Sequence, residues 1–112
     1  MFPVGFKGRK ANGEWVKSSD IRYDENDDIY VGAERVRVAC PSIGLVDENK
    51  RMVYEGDILL TNTTNMPVEV VMVWNQNEAK YQANRLLGGK FSDLTAAKVS
   101  HWRVIGNIFD RS

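Results

Sequence analysis

The feature that most restricts this chain is the shortness of its apolar runs, which mostly alternate with polar residues and end in turn formers. The longest, Val70-Val71-Met72-Val73-Trp74, is only strand length. Period-two alternation sends successive side chains to opposite faces, which suits half-buried strands and gives a helix no continuous apolar stripe. Asn12-Gly13 separates Phe6-Lys7-Gly8-Arg9-Lys10 from Glu14-Trp15-Val16-Lys17-Ser18, a first hairpin. The acidic residues 24–28 separate Ile21-Arg22-Tyr23 from Ile29-Tyr30-Val31, a second. Arg35-Val36-Arg37-Val38 then alternates charge with valine, so the valines are expected inward and the arginines in solvent. Cys40, just before Pro41, reads as a small apolar residue at the end of that strand.

The second half repeats the pattern. Asp47-Glu48-Asn49-Lys50 is a turn between Ile43-Gly44-Leu45-Val46 and Met52-Val53-Tyr54, and Glu55-Gly56-Asp57 leads into Ile58-Leu59-Leu60. Residues 61–67 form a polar connection ending in proline, followed by the strongest strand, 68–74, in which Trp74 is expected to be buried. Residues 75–78 turn it back into 79–83, and Gly88-Gly89 marks another turn. Residues 92–99 are the exception: Ser92 is a candidate N-cap, and Leu94, Ala97 and Lys98 are spaced for a helical turn. Residues 104–109 make a last strand in which Gly106 signals a bulge. The fold class expected is mainly β, a small bent sheet or barrel with at most one short helix. With 112 residues the chain is one domain, hairpins over 1–40 and a barrel-like part over 41–112.

Charge excludes little but directs little. Fifteen basic residues balance fifteen acidic ones, so no global field recruits nucleic acid or an anionic membrane. Residues 41–75 hold two basic and five acidic side chains, while 76–112 hold six basic and three acidic. The single cysteine can form no internal disulfide, and no apolar run approaches the ~20 residues a membrane span needs. The first residues lack a charged leader with a long apolar stretch. A cytoplasmic protein with no membrane association is expected.

No catalytic, metal or cofactor constellation emerges. Asp24, Asn26 and Asp28 mimic the start of a calcium loop, but Ile29 stands where glycine is needed and Arg35 where a bidentate glutamate should be. His101 has no acid nearby in sequence to orient it, and phosphate loops and hydrolase motifs are absent. Glu55 and Asp57 read as turn residues. Gly56 would take a positive φ, Asp57 would bond nearby amides, Gly106 would admit a close neighbour, and Asn107 would bond adjacent backbone.

Two segments, Gly44-Leu45-Val46-Asp47-Glu48-Asn49-Lys50 running into Tyr54-Glu55-Gly56-Asp57-Ile58-Leu59, and Val104-Ile105-Gly106-Asn107-Ile108-Phe109, resemble the YopX family of phage and prophage proteins. Lys50 stands where that family usually has glycine. The resemblance implies a mostly β fold with a C-terminal barrel resembling SH3, and a phage or prophage setting; it implies no activity and no cofactor. Its signature residues here are Tyr54, Glu55, Gly56, Asp57, Ile105, Gly106 and Asn107, read as structural. The expected function is a non-enzymatic accessory protein that binds a protein partner or itself. The alternative is a nucleic-acid-binding barrel whose contacts would be Tyr81, Lys98, Trp102 and Arg103.

Overall fold

A computed structural model describes residues 5–62 and 66–111. Residues 1–4, residue 112, and residues 63–65 in the middle of the expected polar connection lie outside the described residues.

Among the described residues, the alternating segments become twelve strands in three antiparallel sheets. The first sheet has the order β2-β1-β6-β7, built from β1 (Phe6–Arg9), β2 (Trp15–Ser18), β6 (Val38–Val46) and β7 (Met52–Tyr54). A small sheet joins β3 (Ile21–Tyr23), β4 (Ile29–Val31) and β5 (Glu34–Val36) in chain order. The largest has the order β11-β10-β9-β8-β12, from β8 (Asp57–Leu60), β9 (Glu69–Asn75), β10 (Lys80–Arg85), β11 (Lys90–Asp93) and β12 (Arg103–Asn107). Its end strands β11 and β12 do not pair with each other, so this sheet is open and no closed barrel forms among the described residues. One short helix, α1 (Ala96–Val99), and a 3-10 turn, Ile108–Asp110, complete the elements among the described residues.

Several local expectations hold and several need correction. The hairpins at Asn12-Gly13 and residues 24–28 form as the turn chemistry requires; Asp24 caps the second, accepting hydrogen bonds from the N–H groups of Asn26 and Asp28, both at 2.9 Å. Arg35 and Arg37 face solvent and Val36 is buried. Cys40, however, lies inside β6 rather than at a strand end, because β6 continues through Pro41 to Val46. β6 therefore crosses the division expected at residues 40 and 41, pairing with β1 on one side and β7 on the other. The helix cap is Thr95, not Ser92, its hydroxyl accepting from Lys98 N–H at 3.1 Å, because β11 already occupies residues 90–93.

The core packs Val53, Leu59, Val70, Met72, Ala83, Val99 and Trp102 between the large sheet, α1 and β7. Trp102 is only 1% exposed and meets Phe91 edge-on, with ring centroids 6.1 Å apart. Trp74 reverses expectation: it is 47% exposed. The reason is topological. β9 pairs with β8 only over residues 69–71, whereas it pairs with β10 as far as Asn75, so Trp74 sits on a two-stranded extension beyond the covered part of the sheet.

Candidate functional site

The two signature segments meet in space, joined by two buried aspartates. Asp47 Oδ1 accepts from Asn49 N–H at 2.9 Å and Arg51 N–H at 2.8 Å, closing the turn after β6. Its Oδ2 accepts from Val104 N–H at 3.0 Å, which fixes β12. Glu48 N–H donates to Trp102 O at 2.8 Å beside it. Within the turn Lys50 adopts φ 64°, the left-handed conformation that favours glycine.

Asp57 makes the second link. Its Oδ2 accepts from Tyr54 N–H at 2.8 Å, holding the bend in which Gly56 takes φ 84°. Its Oδ1 accepts from Lys7 Nζ at 2.6 Å and Asn107 Nδ2 at 3.0 Å. Asn107 faces Asp57 because β12 carries a bulge. Val104 pairs with Leu59, Ile105 is the extra residue, and Gly106 and Asn107 then pair with Ile58 and Asp57. Without the extra residue, Gly106 would oppose Asp57 and the amide would miss the carboxylate. Asn107 Oδ1 also accepts from Phe109 N–H at 3.0 Å, starting the 3-10 turn. Glu55 acts through its backbone N–H, which donates to Pro41 O at 2.9 Å. Gly106 corrects an expectation: a Cβ there would meet nothing within 4 Å, so no close neighbour calls for glycine. Ile105 is partly exposed on the bulge.

Lys7 had no sequence signal beyond its place on an alternating strand. Its ammonium also lies 4.6 Å from the Trp15 ring centre and 5.2 Å from that of Tyr54. Trp15 Nε1 donates to Asp110 Oδ1 at 3.1 Å, and Arg9 Nε donates to the same oxygen at 3.0 Å, so the first hairpin also grips the C-terminal turn. Burial, assisted by the Asp57 charge, pushes the Tyr54 phenol above its ordinary pKa. Burial likewise pushes the Cys40 thiol up to about 11, making it a poor nucleophile at neutral pH.

The residues of the alternative nucleic-acid reading do not come together. Trp102 belongs to the core, which removes it as a contact; it is 1% exposed and packs in one cluster with Val99 of α1 and buried residues of the large sheet. Tyr81 is half-buried on β10, edge-on to Trp74 at 4.9 Å. Lys98 is exposed but bonded to Ser92 Oγ at 2.8 Å. Arg103 lies on β12, separated from β10 by β9 and β8. There it borders a hollow of about 230 Å³ with His101 and Glu48; no ion pair joins the three. Among the described residues, no three His, Cys, Asp or Glu side chains are grouped as a metal site requires, and no helix is long and apolar enough to cross a membrane.

The most conspicuous exposed apolar feature is the turn from β10 to β11. Arg85 N–H donates to Gly89 O and Gly88 N–H to Arg85 O, both at 2.9 Å, with Gly88 and Gly89 at φ 112° and 86°. Leu86 N–H donates to Glu69 O at 3.2 Å, tying the turn to the start of β9. This backbone lifts Leu87 fully into solvent beside a groove of about 290 Å³ lined by Val68, Glu69, Arg85, Leu86 and Leu87. The Gly88-Gly89 turn was legible in the sequence; that it would present a leucine to water was not.

Comparison with curated proteins finds no match. A family model described as YopX protein matches residues 5–112, nearly the whole chain and both signature segments, and the chain therefore belongs to the YopX family.

Proposed function

We propose that this chain is a non-catalytic binding module, a phage or prophage accessory protein acting in the cytoplasm of a bacterial host, whose partner is a protein. The observation that carries this reading is the β10–β11 turn, where hydrogen-bonded backbone presents the fully exposed Leu87 next to an apolar groove. An apolar side chain carried on a hydrogen-bonded turn can be buried without first ordering the loop, so less of the binding energy is lost to ordering. A protein surface offers the matching apolar contact; nucleic acid would call instead for convergent cations and stacked rings. The scattered positions of Tyr81, Lys98 and Arg103, the burial of Trp102 and the neutral net charge all lend the protein reading support.

The test is recovery of a partner from host or phage-infected lysate by immobilised full-length protein, compared with Leu87→Asp. The proposal expects a specific protein retained by the wild type and lost with the variant. It also expects no binding in a DNA or RNA titration at low salt. A salt-dependent nucleic-acid shift weakened by Arg103→Glu, with no Leu87-dependent protein recovered, would contradict it.

A further inference from the structure

We propose that the partner seated on the β10–β11 turn is a second copy of this chain, in a two-fold dimer where each Leu87 enters the other's groove. This rests on the protein-binding reading above and names its partner. A two-fold interface must be self-complementary: a feature and its receptor have to lie on the same patch, so that each copy both gives and receives. The turn meets that condition in shape, because the projecting Leu87 stands at the rim of the groove formed by Val68 and Leu86. It meets it in charge as well. Glu69 and Arg85 line the same groove, and Arg85 has no carboxylate partner among the described residues. Among the described residues, the Glu69 carboxylate meets one cation, Arg111, in an exposed contact at 3.6 Å. A two-fold operation places Arg85 of each copy against Glu69 of the other, so one exchange makes two ion pairs. Zero net charge leaves no long-range repulsion between copies.

The patch is small beside a standard interface, so a weak dimer is expected, with a Kd of about 10 to 100 µM. Sedimentation equilibrium of the full chain from about 1 µM to about 1 mM spans that range. Leu87→Asp, Arg85→Glu and Glu69→Arg should each raise Kd at least about tenfold. An equimolar mixture of Arg85→Glu and Glu69→Arg chains should regain wild-type affinity, because both crossed contacts are then between opposite charges. A non-specific or misfolded aggregate would not recover on mixing. The proposal is overturned if the wild type stays monomeric throughout, if Leu87→Asp dimerises unchanged, or if mixing restores nothing. Should the wild type be monomeric while Leu87-dependent capture of another protein persists, self-association fails and the protein-binding reading stands. Loss of both defeats both.

Discussion

Two residues hold unusual states for different physical reasons, and each is expected to affect stability measurably. Lys50 takes a left-handed conformation that costs a non-glycine residue about 1–2 kcal/mol, because its Cβ crowds the following carbonyl. Glycine removes that cost but adds unfolded-chain entropy worth about 0.5–1 kcal/mol. Lys50→Gly should therefore stabilise the fold by about 0.5–1 kcal/mol, read as a higher urea midpoint with an unchanged m-value. Cys40 is held as the neutral thiol by burial, with Asp57 and Glu55 adding to the effect of burial and Lys7 opposing it. Its folded pKa of about 11 exceeds the ordinary 9.0, so below pH 9 the thiol is protonated in both states and its stabilising effect is fully present. As pH rises from 9 toward 11 the unfolded chain loses its proton first, and stability falls. Urea midpoints measured across that range should fall less steeply for Cys40→Ala than for the wild type; equal slopes would show that the thiol does not ionise late.

Strands and turns were largely legible, because alternation and turn chemistry are local. Asn12-Gly13, the Asp24 turn and the Gly56 bend are each set by residues within a few positions of the feature. What escaped depends on how far neighbouring strands reach. Trp74 continues an apolar run that reads as core, yet β8 ends before it and leaves the indole in solvent. The large sheet stays open rather than closing as a barrel for the same kind of reason: strand order is a long-range property that short alternating segments do not encode. Gly8 is another example. It reads as an ordinary hairpin residue, but a Cβ there would lie 2.5 Å from Val36 Cγ1 and 2.8 Å from Val31 Cγ2. Its lack of a side chain lets the first sheet approach the β3-β4-β5 sheet, where Val31 and Val36 are buried. Gly8→Ala should cost about 1–3 kcal/mol by overpacking that contact, measured by urea denaturation. An unchanged midpoint would mean the two sheets are free to separate.

Across the whole molecule, the signature segments hold distant parts of the chain together, and the β10–β11 turn lies apart from them with Leu87 in solvent. Asp47 joins the β6 turn to β12, and Asp57 joins β1, the Gly56 bend and the end of β12. Half of that arrangement could be read from the sequence: Asp57 bonding the local backbone follows from its place after Gly56. Its reach to Lys7 and Asn107, each 50 residues away, could not, because nothing in an alternating strand says which polar residue faces inward toward a carboxylate. Residues kept for a binding or catalytic site often cost stability, so removing them leaves it unchanged or raises it. A buried ion pair that ties the fold behaves oppositely, since removing one partner strands the other's charge. The most direct measurement is the unfolding free energy of Asp57→Ala in urea against the wild type. A loss of about 3–5 kcal/mol is expected, from the stranded Lys7 ammonium and the unsatisfied donors of Tyr54 and Asn107. A variant as stable as the wild type, to within about 0.5 kcal/mol, would contradict the view that this signature builds the fold rather than a site.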